Sequence, residues 1–295
     1  MKKFISYILL VLAFTLLLDV AFRLVVQRYY LNPRPFSRIE YQYKFATCNT
    51  PAEMAILGSS RASHHYNIRQ IIDSLNISAF NYGTDGHSIQ YQYLTLLKAI
   101  KNGNLKTVIL DLAPGQMGDE YIEENMSDYY PYYWNDDSVR EVVREIKGQQ
   151  INLLMLSSFI QYNSKLSEIV SSSQHDNGYI PLPYSGKKAA KKTFKQNDYQ
   201  INPIAKQYLK KIAYQCRIHG VSFVVCMSPL LSTRDLNYDS VINLCKDYGI
   251  KVWDMRLSIT DPLLFKDASH LNERGAIQFT SKLINKLKKL NTPYT

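Results

Sequence analysis

The stretch Met54-Ala55-Ile56-Leu57-Gly58-Ser59-Ser60-Arg61 contains a short apolar run, then a Gly-Ser-Ser turn, then the start of an amphipathic stretch. A continuous apolar run of this length, bounded by a turn, predicts a strand buried in a parallel sheet. The amphipathic stretch beyond it predicts a helix. The turn would place Ser60 at the carboxyl end of the sheet, where open α/β proteins bind their ligands. This stretch therefore predicts an α/β fold with a serine at its functional edge.

Strand and helix patterns alternate on both sides of this stretch. Strands are predicted at 54–57, 79–82, 107–112, 221–227 and 251–253, and helices at 68–75, 89–100, 203–219, 240–248 and 273–290. Such alternation predicts a parallel sheet with helices on both faces. We therefore expect a three-layer α/β/α sandwich with five strands in residues 51–295, with a tyrosine-rich insertion at about 115–202.

A second motif, Asp267-Ala268-Ser269-His270, stands just before the last predicted helix. A serine hydroxyl is a poor nucleophile until a base removes its proton, and an imidazole is a reliable base when a carboxylate fixes its tautomer. Ser60, His270 and Asp267 can fill these three roles. Taken singly, each also fits a structural role, as a helix cap, a turn residue or a surface histidine. The rival bases are His64, His65 and His87, which Asp85 or Asp111 could orient.

Three sequence blocks, in this order, resemble those of the SGNH hydrolases, a broad family of serine esterases and acyl-group enzymes with a flavodoxin-like sheet. The blocks are Gly58-Ser59-Ser60, where the family usually has Gly-Asp-Ser, the turn at 81–88 with Gly86, and Asp267-x-x-His270. The resemblance covers about residues 54–114 and 221–290. It implies that Ser60 is the nucleophile, that His270 is the base and that Asp267 orients the base.

A further family block, Gly-x-Asn-Asp after the third strand, is replaced here by Asp111-Leu112-Ala113-Pro114-Gly115. The asparagine of that block donates to the oxyanion of the transition state, and losing one such donor can cost about 2.7–4 kcal/mol. The resemblance then implies that the backbone N–H groups of Ser60 and Gly86 are the oxyanion donors, with the side chain of Arg61 as a further candidate.

The amino-terminal residues predict a membrane anchor. Two lysines precede an apolar run at 4–26, which is about long enough to cross a hydrocarbon core of roughly 30 Å. Asp19 and Arg23 interrupt the run and stand about one helical turn apart. Because no small-x-small cleavage site follows, residues 1–30 favour an uncleaved signal-anchor over a removed signal peptide, with a linker at 31–50. The short amino terminus favours a domain on the extracytoplasmic face.

The Gly-Ser-Ser variant and the anchor together resemble the membrane-anchored branch of the family that acts in teichoic-acid D-alanylation beside a membrane-bound O-acyltransferase. The resemblance implies a serine esterase or O-acyltransferase that acts on an O-acylated cell-envelope glycan through an acyl-enzyme, without a metal or a cofactor. Membrane lipid and a membrane-bound O-acyltransferase are the expected partners. A non-catalytic glycan-binding protein on the same fold and a lipid esterase remain as alternatives.

The insertion is rich in aromatic side chains, whose faces suit stacking on sugar rings. The alternative is that these rings pack the insertion onto the sheet. The candidate substrate-binding residues are Tyr129, Tyr130, Tyr132, Tyr133 and Trp134.

The 295-residue chain is 46% hydrophobic and 20% charged, with a formal net charge of +10. This composition is typical of an ordered globular protein, and the positive charge favours anionic partners such as lipid headgroups or acidic polysaccharide. No zinc-finger spacing, Gly-rich phosphate loop or RNA-binding signature accompanies the charge, so we expect no nucleic-acid partner. The four cysteines lack C-x-x-C spacing, which favours buried thiols over a metal site.

Overall fold

A computed structural model describes residues 1–30, 52–119, 122, 126–162, 177–190, 200–231 and 238–290. The chain divides into two compact units. The first unit holds the described residues 1–30 and 126–162, and the second unit holds the others. The predicted linker at 31–50 lies outside the described residues.

The helices that the structure describes fall in both units. In chain order they are α1 Lys2–Tyr30, α2 Ser60–His65, α3 Ile68–Leu75, α4 Ile89–Lys101, α5 Asp137–Lys147, α6 Ile151–Leu154, α7 Ser158–Tyr162, α8 Pro203–Ile218, α9 Tyr238–Asp247 and α10 Glu273–Leu290. Short 3₁₀ helices span Pro114–Met117, Met126–Tyr132 and Pro262–Leu264. The helices predicted between and beside the strands are confirmed, and their ends shift by about two residues at most.

The second unit is built around a parallel sheet. Its strands are β1 Met54–Gly58, β2 Ala79–Asn81, β3 Thr107–Asp111, β4 Ser222–Met227 and β5 Lys251–Asp254. All neighbouring strands run parallel, in the order β2-β1-β3-β4-β5. This order is the flavodoxin-like arrangement, so the predicted fold class is confirmed. Every residue of β1 is buried, as its uninterrupted apolar sequence requires of a strand covered on both faces.

The turn after β1 requires glycine. Gly58 has a φ of +140°, and a Cβ there would lie 2.8 Å from both the Ala62 Cβ and the Asp111 backbone oxygen. The side chain of Gln92 forms hydrogen bonds with both backbone groups of the same glycine. The Gly58 N–H donates to Gln92 Oε1 at 3.0 Å, and Gln92 Nε2 donates to the Gly58 oxygen at 2.8 Å. The backbone just before Ser60 is therefore fixed in position.

Asn272 caps the start of α10. Its side-chain oxygen accepts from the Gly275 N–H at 3.1 Å, and its side-chain nitrogen donates to the Leu263 oxygen at 2.8 Å. A cap of this kind satisfies a backbone donor that the first turn of a helix leaves without a partner. The same residue thereby fixes the loop before α10, which carries Asp267 and His270.

The first unit combines α1 with α5, α6 and α7. Within α1, the stretch Lys2–Val26 is long and apolar enough to cross a membrane, a property that signal sequences share. Residues 126–162 group with α1, whereas 177–190 group with the sheet. The stretch expected as a single insertion at 115–202 is therefore divided between the two units.

Three of the cysteines lie in the described part of the chain. Cys216, Cys226 and Cys245 are free and buried, as predicted. Burial raises the pKa of each thiol to about 12, so these thiols are protonated and unreactive at neutral pH. Cys48 lies outside the described residues.

Candidate active site

Ser60 stands at the carboxyl end of β1, where it is the first residue of α2. Its Oγ lies 2.8 Å from Nε2 of His270. Ser60 is half-buried, whereas the neighbouring Ser59 and Ser63 are only 7% and 0% exposed. Of the serines near this turn, Ser60 therefore combines access to solvent with a base at hydrogen-bond distance.

The loop before α10 brings Asp267 to the opposite side of the His270 ring. Both carboxylate oxygens of Asp267 lie 3.0 Å from Nδ1 of His270. Because a carboxylate can only accept, this contact assigns the ring proton to Nδ1. Nε2 then presents its lone pair to the Ser60 hydroxyl. Hydrogen bonds thus run from serine to histidine to aspartate, which is the arrangement that activates a serine for nucleophilic attack.

The loop itself keeps Asp267 ionised. Partial burial acts to raise the pKa of Asp267, but hydrogen bonds from the His270 ring and from the backbone N–H groups of Ser269 and His270 outweigh burial and lower the pKa to about 2. The two backbone donors lie 2.7 Å and 2.9 Å from Oδ1 of the aspartate. The imidazole therefore faces a negative charge at any pH above about 4, and this charge would stabilise the imidazolium that forms during catalysis.

Two of the rival histidines are engaged by other groups. His64 has partners at both ring nitrogens, with the Ile180 oxygen 2.8 Å from Nδ1 and a carboxylate oxygen of Asp85 3.1 Å from Nε2. His87 lies with its Nδ1 2.7 Å from the backbone oxygen of Asp85. Asp85 therefore contacts the rival base His64, as the alternative assignment of the base predicted. The Ser60 hydroxyl, however, lies at hydrogen-bond distance from His270.

The third rival, His65, contacts a second serine. Its Nδ1 lies 2.9 Å from Oγ of Ser228, and its Nε2 accepts from the Leu271 N–H at 3.0 Å. Burial, with the positive charge of Arg61, lowers the pKa of His65 well below 6.5, so the ring stays neutral at ordinary pH. Because His65 and Ser228 are both fully buried, this pair is closed to substrate and instead holds the loop before α10.

Two backbone N–H groups, those of Ser60 and Gly86, are the predicted oxyanion donors. The Gly86 N–H donates to Oγ of Ser59 at 3.1 Å, which places it beside the residue that precedes Ser60. The Ser60 N–H belongs to the first position of α2. The structure thus brings both donors to the turn that carries the candidate nucleophile.

The side chain of Arg61 is held in a buried network beneath this turn. Its Nη2 lies 2.8 Å from Oδ1 of Asp111, an ion pair whose N–H direction falls short of a hydrogen bond, and its Nη1 donates to the Tyr238 hydroxyl at 3.2 Å. Tyr66 donates to the other oxygen of Asp111 at 2.7 Å. Burial acts to lower the pKa of Arg61, but Asp111, Tyr238 and Tyr66 together outweigh burial and raise the pKa. The geometry therefore disfavours Arg61 as an oxyanion donor.

Removal of Arg61 would leave the buried carboxylate of Asp111 without its cation. We expect Arg61→Ala to lower the free energy of unfolding in urea by about 3–5 kcal/mol. The matched control is Lys106→Ala, which removes an exposed ion pair with Glu53 at 2.6 Å and should cost about 1 kcal/mol or less. Equal losses in the two variants would contradict a buried structural role for Arg61.

The aromatic residues of the first unit are packed to different degrees. Tyr129 and Tyr133 are only 2% and 0% exposed. Tyr130 and Tyr132 are half-buried, and Trp134 is 41% exposed. The burial of Tyr129 and Tyr133 disfavours them as substrate-binding residues, because a buried ring has no free face on which a sugar could stack.

The described residues contain no group of three or more His, Cys, Asp or Glu side chains placed to hold a metal ion.

The chain is similar in structure to several solved proteins. One is a protein from Streptococcus pneumonia designated a platelet activating factor, with 10% identity, a TM-score of 0.45 and coverage of 85% of this chain and 91% of that chain. A lipase/acylhydrolase from Enterococcus faecalis has 8% identity and a TM-score of 0.42, with coverage of 82% of this chain and 99% of that chain. A catalytic mutant of an acetylxylan esterase from Geobacillus stearothermophilus has 6% identity and a TM-score of 0.42, with coverage of 82% of this chain and 96% of that chain. No family model and no curated protein matches the sequence. Similarities this weak carry no argument about activity or substrate.

Proposed function

We propose that this chain is a serine ester hydrolase of the SGNH type that works through an acyl-enzyme on Ser60. The observation that supports this most strongly is the hydrogen-bond chain from Ser60 through His270 to Asp267, at the carboxyl edge of a flavodoxin-like sheet. The three residues come from opposite ends of the second unit's sequence, and packing alone does not require their polar groups to align.

The chain of hydrogen bonds supports a two-step reaction. His270 Nε2 accepts the Ser60 proton while Ser60 Oγ attacks the ester carbonyl carbon, and negative charge develops on the carbonyl oxygen. When the bond to the leaving alcohol breaks, His270 returns the proton to that alcohol, and Ser60 is left acylated. In the second step His270 takes a proton from water, and the resulting hydroxide attacks the acyl carbon. The bond to Ser60 then breaks, Ser60 regains its proton, and the carboxylic acid is released.

The oxyanion would be stabilised by the backbone N–H groups of Ser60 and Gly86. In the free protein the Gly86 N–H has the Ser59 hydroxyl as a partner, and we infer that this hydroxyl yields the N–H to the oxyanion as the intermediate forms. The asparagine donor of the family is replaced here, as the 111–115 sequence indicates. A missing donor costs about 2.7–4 kcal/mol of transition-state stabilisation, so we expect slower acylation than in an enzyme with that donor.

For the substrate, we propose an O-acylated glycan of the cell envelope. The resemblance to the membrane-anchored branch of the family and the apolar stretch Lys2–Val26 of α1 support this class. The same resemblance supports a membrane-bound O-acyltransferase as partner and transfer of the acyl group to a glycan hydroxyl as a second fate of the acyl-enzyme.

Transfer and hydrolysis can be separated by measuring both products. We expect the purified chain, given p-nitrophenyl acetate with envelope glycans as acceptors, to yield acetylated glycan together with free acetate. Mass spectrometry of the glycan and an assay of acetate in the same reaction measure the two fates. Free acetate alone, with every acceptor tried, would contradict transfer and favour a simple esterase.

The membrane orientation is a separate prediction. We expect α1 to place the second unit outside the cytoplasmic membrane, so alkaline phosphatase fused after Thr295 should be active. The matched control is the same fusion without residues 1–30, which should remain in the cytoplasm and be inactive. Activity of a cytoplasm-dependent reporter, such as β-galactosidase, from the intact fusion would contradict this orientation.

A further inference from the structure

One face of α1 is in contact with residues 156–162. These residues belong to a stretch that includes α6 and α7, residues 151–162, called here the 151–162 segment. Phe22 stacks on Phe159 with ring centroids 4.2 Å apart. Val26 packs with Tyr162, and both are almost completely buried. The contact residues of α1 recur at the spacing of one helical face. The rest of the apolar stretch of α1 has no cover within the described residues.

The two charged residues inside the apolar stretch of α1 are on this same face. The carboxylate of Asp19 accepts hydrogen bonds from the Ser157 hydroxyl at 2.9 Å, the Ser158 N–H at 2.8 Å and the Phe159 N–H at 3.3 Å. Arg23 Nε donates to the Ser158 hydroxyl at 2.7 Å. Charged and polar groups within a bilayer are costly unless they find such partners. The 151–162 segment therefore supplies hydrogen-bond partners that lower the cost of placing Asp19 and Arg23 within a bilayer.

The position of these contacts along α1 indicates how deep the 151–162 segment would lie in a bilayer that α1 spans. With a rise of about 1.5 Å per residue, Asp19 lies about 10 Å and Arg23 about 5 Å inside the end of the apolar stretch at Val26. Interfacial helices bury their apolar faces to about 5–10 Å below the headgroups. Since the 151–162 segment is bonded to both residues, it reaches this depth wherever α1 spans a membrane.

Large apolar side chains of the 151–162 segment are exposed. The exposed side chains are Leu153 at 74%, Leu154 at 48%, Leu156 at 61% and Phe159 at 44%. Trp134, 41% exposed, donates its indole N–H to the Met155 oxygen at 2.8 Å. Tryptophan is enriched at membrane–water interfaces, where its amphipathic ring lies at the level of the headgroups. Large exposed apolar side chains so close in sequence indicate a surface that something covers.

We propose that the 151–162 segment is a second membrane-contacting element, whose leucines and Phe159 insert among the lipid acyl chains beside α1. Lipid is the occupant because the apolar surface lies at the depth of the apolar stretch of α1 and continues it laterally. The contact also ties the 151–162 segment to α1 by side-chain and backbone hydrogen bonds, and it would be lost if α1 were cleaved. The inference rests on the membrane anchoring proposed above and is independent of the esterase activity.

The test places an environment-sensitive fluorophore at single cysteines of the full chain, with Cys48→Ser as background. Cys216, Cys226 and Cys245 are buried, so a maleimide should leave them unmodified. The labelled variants are Leu156→Cys, with Leu153→Cys as a second position, Phe14→Cys in the middle of α1 as a lipid control, and Glu141→Cys on the polar surface of α5 as an aqueous control. Each is reconstituted in nanodiscs of phosphatidylcholine and phosphatidylglycerol, with and without a nitroxide on the upper acyl chain.

We expect the labels at Leu156 and Leu153 to emit at shorter wavelength than the label at Glu141 and to be quenched several-fold more strongly by the nitroxide lipid. Quenching at Phe14 with none at Leu156 or Leu153 would overturn the proposal and assign the apolar surface to a protein partner. Absence of quenching at Phe14 as well would overturn the anchoring and the proposal together. Because no arm measures turnover, none of these results depends on the proposed catalytic function.

Discussion

Replacement of Ser60 by alanine is expected to abolish turnover of an activated ester, with a fall in kcat/KM of about 10⁴-fold or more. The reason is that Ser60 Oγ is the hydroxyl that lies 2.8 Å from a ring nitrogen of His270, so the variant loses the nucleophile while the base remains in place. The half-buried side chain has little part in the core, and the melting temperature should be unchanged. A p-nitrophenyl ester assay with a parallel thermal unfolding scan measures both.

The matched control is Ser63→Ala, in the same short helix. Ser63 is fully buried, so its hydroxyl cannot reach substrate, and the variant should keep most of its activity. If Ser63→Ala lost turnover while Ser60→Ala retained it, the nucleophile would be misassigned.

The second large effect is expected from the base and the residue that orients it. His270→Ala should lower kcat/KM by about 10⁴–10⁶-fold, and Asp267→Asn by about 10⁴-fold, because the asparagine variant keeps an imidazole but no longer fixes its tautomer. Asp267 and His270 have side chains that are 54% and 24% exposed, so both variants should remain folded. Steady-state kinetics at fixed pH, with circular dichroism of each variant, measures the two properties separately.

His64→Ala is the control for these variants. The ring of His64 lies 5.8 Å from that of His270, centroid to centroid, so the substitution perturbs the same neighbourhood without removing the proposed base. Its kcat/KM should stay within about tenfold of the parent, an effect of roughly 1.4 kcal/mol on the barrier. Loss of turnover in His64→Ala with full activity in His270→Ala would assign the base to the pair of His64 and Asp85.

Much of the fold could be predicted from local sequence because the three central strands of the sheet, β1, β3 and β4, each contain an uninterrupted apolar run. The run that ends at Gly58 predicts β1, and the same reasoning holds for β3 and β4. The meeting of Ser60 with His270 could be predicted from the order of the sequence blocks, since parallel strands bring their carboxyl ends to one edge.

The remaining features depend on contacts that no local pattern announces. Gln92 lies within the amphipathic pattern of α4, and nothing in its surroundings indicates that it binds both backbone groups of Gly58. Asp19 finds its partners about 140 residues away. The aromatic cluster has no helical or strand period, so its sequence does not distinguish buried Tyr133 from exposed Trp134.

The central claim is that Ser60 is an activated nucleophile, and a fluorophosphonate probe tests it most directly, because the probe reacts with activated serines and leaves a mass on the modified peptide. We expect one modified serine in the folded chain, mapped by mass spectrometry to Ser60, with labelling lost in Ser60→Ala and retained in Ser63→Ala. Absence of labelling in the folded protein would contradict the account and favour a non-catalytic glycan-binding protein on the same fold, and labelling that persists in Ser60→Ala would overturn the site itself.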